Sequence, residues 1–590
     1  MKTQLQQELK DIIKSLYDLD ISDIKLDNPP KKDMGDYAFG VFLLAKDLRK
    51  APGMIAAEIK KYIDEQGSEV ISWSEVAWPY LNITLNQNLL TQNFMSWQKN
   101  RENIALNGQW KTIVIDYIGA NVWKPLHIGH MCTPLQGQAL VNVYKALGYT
   151  VISDSHIGDW GIIFWKLICA YKKWWDEAQL KQNAVDHLLE LYIKITAESE
   201  IDDTIEQQVR DEFRLLSQWD EDSKKLWADF TKHSIAAMNI QLARLSVHTD
   251  YNIGESFYEW IGLAKMEDYP DLKIDMHTIV ENLIDAKIAT KNDDNSVWVI
   301  FSDESKIPSC ILQKRDWTHG YLASDLASVK YRMDNWQPEK IVYFVDVRQQ
   351  LHLQQVFEVS KQANWVWDTQ LIHAHNWFIS LKDGAMSTRT GRIIKLDKLL
   401  DEAESRAEKI ILEKRDDISW DELATLSKTI WMWAIIYGYL KKTRETDSIF
   451  DWDEFMSFEW NSGPYIQYAY VRARAILEKA PPPNPLLGKE GEDSFAIGGG
   501  FETPEEIDLA KMLMNYETIL KETAEKNMAH VLAKYCYDLT KSFSGLYNNV
   551  HILNETDEAK KNMRLSLIAS FTEILKESFS LLGIDMPERM

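Results

Sequence analysis

Residues 112–148 constrain the fold more than any other part of the chain. A strand-like run, T-I-V-I-D-Y at 112–117, hands over through Lys124-Pro125-Leu126-His127-Ile128-Gly129-His130 to a helix-like run ending near Ala146-Leu147-Gly148. A second strand is expected near residues 149–153, so residues 109–165 read as a β-α-β unit. Such a unit calls for a parallel sheet covered by helices. Two imidazoles, a lysine and a glycine collect at the handover. In α/β folds phosphates bind there, because free backbone N–H groups and the positive end of the helix dipole point outward.

The 590 residues are 45% hydrophobic and 26% charged, as expected of a soluble globular protein with three or four domains. The longest strongly apolar run, residues 430–440, is too short to span a bilayer, and the N-terminus has no signal-peptide core, so no membrane is expected. Cys132, Cys169, Cys310 and Cys536 are scattered without a C-x-x-C pair. Neither disulfides nor a zinc-thiolate centre is expected, and a reducing cytoplasm fits. The net charge of −23 argues against a protein coated by nucleic acid, DNA included, but permits a local basic groove.

Residues 1–108 read as a small α+β module, with helical period at 54–62 and strand alternation at 80–85. Residues 109–396 read as an α/β domain. Its strands resume at 296–301 and 340–345, with a helix-like 323–331 between them and a charged helical insertion over about 172–248. From 397 to 590 nearly everything reads as helix. The exception is 480–500, where P-P-P-N-P and a terminal G-G-G suggest a flexible exposed connection.

The histidine segment has a specific chemistry. In-line attack of a carboxylate on the α-phosphate of ATP piles negative charge on that phosphate. Imidazole N–H groups, a lysine and a helix N-terminus stabilise it, while Gly129 lets a flat base lie against the backbone. P-L-H-I-G-H resembles the first signature of the class I aminoacyl-tRNA synthetases. The wider D-Y-I-G-A-N-V-W-K-P-L-H-I-G-H at 116–130 resembles the arginyl-tRNA synthetases in particular. The likeness continues collinearly through H-I-G-D-W-G (156–161), G-E-S (254–256), Y-L-A-S-D-L-A (321–327), V-D-V-R-Q-Q-L-H (345–352) and M-S-T-R-T-G (386–391), to the final P-E-R-M.

The resemblance implies a Rossmann-type parallel-sheet catalytic domain with helical insertions, an N-terminal α+β module touching the tRNA elbow, and a C-terminal all-α anticodon-binding domain. It implies ATP, Mg²⁺, L-arginine and tRNA(Arg) as reactants and partners, and a monomer. Lys124, His127, His130 and Arg389 would be catalytic. Pro125, Leu126, Ile128, Gly129, Met386, Ser387 and Gly391 would line ATP. No protein metal ligands are expected. A guanidinium wants a planar bidentate carboxylate and further acceptors. Asp325, four residues after Tyr321, puts a carboxylate and a phenol on one helix face. By resemblance Asp116 and Glu255 add carboxylates, and Asn121 and Gln349 hold the α-amino group.

The second signature departs from K-M-S-K-S. Alanine and threonine stand at both lysine positions, leaving Arg389 and Lys382 for the pyrophosphate end and shifting weight onto Lys124. In the C-terminal region, aromatics alternate with arginines in G-P-Y-I-Q-Y-A-Y-V-R-A-R (463–474), a pattern suited to splayed bases. Two rivals remain: a class I synthetase or nucleotidyltransferase of other specificity, and an inactive tRNA-binding paralogue.

Two oddities stand out. The chain has 23 tryptophans and only 25 glycines, about 4% glycine against the usual ~7%. Trp78, Trp317 and Trp377 occupy positions where the family pattern has glycine, and Trp123 sits beside Lys124. A gene whose UGA codons insert glycine in its own cell, written with the standard table, would give this pattern, whereas Trp160 matches the family. Pro134 falls in the first turns of a helix starting near Gly129 and should kink it or remove a hydrogen bond.

Overall fold

The computed structural model describes residues 2–587 except 28, 32–33, 102–107, 122–123, 161, 175, 218–219, 260–268, 378, 382–393, 414, 416, 456–460 and 481–499. The chain forms two compact units, one of Met1–Ile104, Ala469–Thr518 and Tyr537–Leu575, the other of Ala105–Tyr468, Ile519–Cys536 and Lys576–Met590. The connection read over 480–500 lies outside the described residues apart from its two ends.

The first unit carries an antiparallel sheet of β1 (Leu26–Asp27), β2 (Tyr37–Gly40), β3 (Ile71–Ala77) and β4 (Tyr80–Leu85), in the order β1-β2-β4-β3. The Pro52–Gln66 helix lays Ile55, Ala56, Ile59 and Ile63 against it, one apolar stripe at helical spacing. Proline opens that helix, where its missing N–H costs nothing, and Gly67 at φ +74° closes it. Among the later helices of this unit, buried Arg564 joins Glu506 and Glu555, each at 2.6 Å.

The second unit is built on a five-stranded parallel sheet: β5 (Thr112–Asp116), β6 (Thr150–Ile157), β7 (Tyr251–Gly254), β11 (Lys340–Tyr343) and β12 (Gln370–His373). Between β7 and β11 the chain forms β8 (Ala289–Lys291), β9 (Val297–Val299) and β10 (Cys310–Gln313), a separate antiparallel sheet. The parallel order is β12-β11-β5-β6-β7, so the chain works outward from β5 to β7 and then returns to the other side of β5. The switch between β5 and β11 opens a crevice at the carboxyl ends of the strands, the usual ligand position in such sheets. Val114, Ile253 and Ile341 of the sheet share one core with Leu326 and Val329 of the Tyr321–Trp336 helix and Val356 of the Gln350–Gln362 helix.

Four helices, Ile162–Lys173, Glu177–Ser199, Asp203–Ser217 and Glu221–Ala243, separate β6 from β7, so the helical stretch begins about ten residues before the expected 172. Beyond residue 397 the chain is not wholly helical, since β13 (Ile379–Leu381) pairs in parallel with β14 (Ser448–Phe450). Among the described residues no helix is long and apolar enough to cross a membrane.

Pro134 causes no kink. Ile128–His130 is a 3-10 turn and the α-helix starts afresh at Cys132, which places Pro134 in the first turn, where no carbonyl waits for its N–H. Three residues later, a Cβ on Gly137 would lie 2.3 Å from Cβ and Cγ of Tyr117, so only glycine lets this helix approach the end of β5.

The tryptophans divide. Trp317 closes the 314–318 turn at φ +69° and is 55% exposed, and Trp110, before β5, adopts φ +68° and is 94% exposed. A bulky residue there is an outlier, and glycine is the natural occupant. Trp78 and Trp377 are exposed but have no positive φ, so for them the turn argument does not hold. Trp317→Gly is expected to raise stability by up to about 1 kcal/mol, read as a higher midpoint of thermal unfolding. Intact-mass measurement of protein from the native cell is expected to fall short of the written chain by whole multiples of the tryptophan-glycine difference. An unchanged mass ends the recoding idea.

Candidate active site

At the crevice, the loop leaving β5 runs from Tyr117 to Asn121, whose backbone bridges Gly158 beyond β6. The Asn121 side chain lies so close that a Cβ on Gly158 would meet its Oδ1 at 2.4 Å. The chain then turns, with the Lys124 N–H on the Asn121 carbonyl at 3.1 Å, buries Pro125, Leu126 and Ile128, and presents Gly129 to solvent.

The His127 and His130 rings lie against each other at a tilt of 38°, with centroids 3.9 Å apart. The His127 Nδ1 accepts the Gly129 N–H at 3.1 Å, and the His130 Nδ1 accepts the His127 N–H at 3.2 Å, a reciprocal cap on the 3-10 turn. An imidazole nitrogen that accepts carries no hydrogen, so both rings hold theirs on Nε2. Burial, and then the charge of Lys124, push the His127 pKa down. Burial, His127 and Lys124 push His130 down to about 3. The pair is a set of neutral donors beside a cation and a helix start, the arrangement that stabilises a phosphate gaining charge.

Of the second signature, Met386, Ser387, Arg389 and Gly391, with Lys382, lie outside the described residues, as does Trp123. The residues that follow the signature are placed. Ile128 N–H donates to the Ile394 carbonyl at 3.1 Å and Leu396 N–H to the Leu126 carbonyl at 2.8 Å, so the exit from that segment is laced to the histidine loop.

The other end of the crevice is acidic. Asp325 projects from the first turns of the Tyr321–Trp336 helix and receives His352 Nε2 at 2.5 Å, with His156 Nε2 at 3.7 Å. Burial works to raise the Asp325 pKa, but the His352 hydrogen bond and the charges of His156 and His352 prevail and hold it below the usual carboxylate range. Glu255 opens a 3-10 turn after β7. Burial first, then Asp159, Asp325 and Glu259, push its carboxyl well above the ordinary range. Burial and Glu255 likewise raise the Tyr321 phenol, which is 70% exposed. Gln349 lies exposed beyond the end of β11, at the close of the turn after Asp346.

Asp116 already has an internal partner. The residue is 3% exposed and its carboxylate is bound by Arg332 NH2 at 2.8 Å, while Arg332 also binds Asp154 at 2.7 and 2.9 Å. The Tyr321–Trp336 helix carries this arginine over the sheet two turns after Asp325.

Sequence reasoning passed over three residues. Asp159 accepts the Ser256 N–H at 2.9 Å and the Ser256 hydroxyl at 2.6 Å, which fixes the Glu255 turn. A Cβ on Gly254 would strike that carboxylate at 2.1 Å, so the glycine is sterically required. His156 and His352 complete the surroundings of Asp325. All three lie in segments whose family likeness was noted, H-I-G-D-W-G and V-D-V-R-Q-Q-L-H, and that was the available signal.

The comparisons with known proteins agree with this geometry. Residues 91–452 match the model described as tRNA synthetases class I (R), catalytic domain, residues 2–85 the arginyl tRNA synthetase N terminal domain, and residues 466–590 the DALR anticodon binding domain. The fold and site are those of a class I aminoacyl-tRNA synthetase. The arginine–tRNA ligase of Clostridium botulinum (strain Alaska E43) is 34% identical over 99% of this chain and 100% of that protein, and that of Clostridium perfringens 34% over 98% of each. The chain belongs to the arginyl-tRNA synthetase family. In fold it is similar to the Plasmodium falciparum arginyl-tRNA synthetase (TM-score 0.78, 21% identity, 99% of each chain). The Thermus thermophilus arginyl-tRNA synthetase is also similar (TM-score 0.75, 22%, 100% of each).

Proposed function

We propose that the chain activates L-arginine with ATP to arginyl-adenylate, releasing pyrophosphate, and transfers the arginyl group to the 3′-terminal ribose of tRNA(Arg). The observation that carries this reading is the buried acidic end of the crevice. Burial first, and then the charges of Asp159, Asp325 and Glu259, make the Glu255 carboxyl resist ionising. Such a site favours a further cation, and a guanidinium supplies a planar one with donors for several carboxylates. Asp325 and Glu255 take the guanidinium with the Tyr321 hydroxyl, and Asn121 and Gln349 hold the α-amino group. Asp116 serves indirectly, through Arg332.

At the other end Lys124, His127 and His130 stabilise the α-phosphate as the arginine carboxylate attacks, and no protein nucleophile is needed. Pro125, Leu126, Ile128 and Gly129 shape the floor for the nucleotide. Met386, Ser387 and Gly391 take part in binding ATP, and Arg389 with Lys382 binds its pyrophosphate end. Mg²⁺ bound with the nucleotide would help neutralise the charge on its phosphates. Among the described residues no group of three His, Cys, Asp or Glu side chains is arranged for a metal ion.

Residues 1–108 contact the tRNA elbow and 397–590 the anticodon, where Arg472 lies 4.5 Å over the ring of Tyr547. The protein works as a monomer in the cytoplasm, with no DNA partner. A charging assay with arginine, ATP and cognate tRNA tests the reading. Arginine-dependent charging is expected, with little ATP–pyrophosphate exchange until tRNA is added. tRNA binding without charging would favour the inactive paralogue.

A further inference from the structure

The two oxygens of Asp325 are not equivalent. His352 reaches across from the first turn of the Gln350–Gln362 helix and binds Oδ2 at 2.5 Å. Oδ1 faces His156 Nε2 across 3.7 Å, too far for a hydrogen bond, and both nitrogens of the His156 ring are buried without a partner. One oxygen is therefore held from outside the helix that carries the carboxylate, and the other is left toward the crevice.

We propose that His352 is a positioning residue of the arginine subsite: it clamps Oδ2 of Asp325, so aiming Oδ1 at the substrate guanidinium, and it gives up a proton when the guanidinium arrives. This rests on the reading of Asp325 as the guanidinium's partner.

The proton release follows from charge. Burial works to lower the His352 pKa, but the Asp325 hydrogen bond and charge prevail and raise it, so the carboxylate 2.5 Å away favours the protonated ring. An arriving guanidinium would set a second cation on the same carboxylate, and the arrangement is relieved when the imidazolium becomes neutral. The other groups facing Asp325 are His156 from β6, Glu255 and, through it, Asp159 and Glu259, with Arg332 farther along the same helix and Tyr343 from β11. Glu255 also has a raised pKa and releases its proton to solvent when a cation binds beside it, as His352 does, so arginine binding in the wild type weakens with acid for two separate reasons. For His352 the sign is the same: its protonated form, favoured below its raised pKa, competes with substrate, and the arginine KM rises as pH falls.

The experiment measures the arginine KM in tRNA charging between pH 8 and pH 6 for wild type, His352→Gln, His352→Ala and Asp325→Ala, with the ATP KM and a melting curve as controls. Glutamine can still donate to Oδ2 but cannot titrate. At pH 8 its KM is expected within about threefold of wild type, and its KM should rise less steeply with acid by up to about tenfold per pH unit. Alanine releases the clamp, so its KM should rise about tenfold or more at every pH with kcat nearly unchanged. If both His352 variants keep the wild-type KM and slope while Asp325→Ala raises KM, the positioning role is overturned and the arginine subsite stands. If Asp325→Ala leaves KM unchanged, the subsite itself is misplaced. A folded glutamine variant decides the matter even where alanine does not fold.

Discussion

Asp325→Ala is expected to raise the arginine KM about a hundredfold and to leave the ATP and tRNA KM values within about twofold, because truncating one partner of a buried charge pair costs about 2–5 kcal/mol. The Asp325 side chain is 19% exposed, so little solvent screens its charge. The loss falls on arginine alone, since Asp325 lies at the acidic end of the crevice and the histidine pair at the other. Asp325→Asn keeps the shape and discards the charge, and should lose nearly as much. Lysine should be a poor substitute substrate for the wild type, since an ammonium cannot make the forked contact and leaves acceptors unpaired. Steady-state charging with arginine varied measures each of these. An unchanged arginine KM in Asp325→Ala would reopen a class I synthetase of another specificity.

Arg332→Leu is expected to destabilise the fold by about 3–5 kcal/mol, the cost of stripping the partner from buried charge. Arg332 is 0% exposed, bonded to Asp154 on β6 and Asp116 on β5, with the Tyr343 ring of β11 5.3 Å away. It therefore ties three neighbouring strands to the Tyr321–Trp336 helix. Without it two carboxylates remain buried on adjacent strands. Burial and the neighbouring Asp116 already push Asp154 upward while Arg332 opposes them, so the variant must fold with protons bound. The folded state then binds more protons than the unfolded one, and the variant's stability falls as pH rises through the carboxylate range and above. Thermal unfolding should show a much lower midpoint, partly restored by adding Asp154→Asn. A midpoint unchanged from wild type would mean that the triad contributes specificity and not stability.

The parts of the fold that were legible are those written locally. Residues 80–85 and 112–116 alternate or run apolar over a single strand, and both are strands. β6 was read as ending at 153 yet runs to Ile157. Its second half is Asp154, Ser155 and His156, polar residues that a single-strand pattern rejects. They are tolerated because Arg332 neutralises the first and Asn252 Oδ1 accepts the second at 2.6 Å. The internal partner of Asp116 was hidden for the same reason: it is 216 residues away, and nothing nearby announces it. His352 lies 27 residues beyond Asp325, and its role becomes visible only when two helices are placed side by side. Pro134 looked disruptive because the helix was started about three residues too early, across a 3-10 turn that histidine capping creates.

That capping has a consequence for turnover. Backbone N–H groups occupy Nδ1 of both His127 and His130, so these rings can offer a hydrogen without handing one over. Adenylate formation exchanges one phosphate oxygen for a carboxylate oxygen and needs no proton from the protein. The nucleotide end therefore leaves each cycle in the state in which it entered. Between rounds the histidine pair has nothing for water or buffer to restore, in contrast to the acidic end, where His352 and Glu255 must regain their protons.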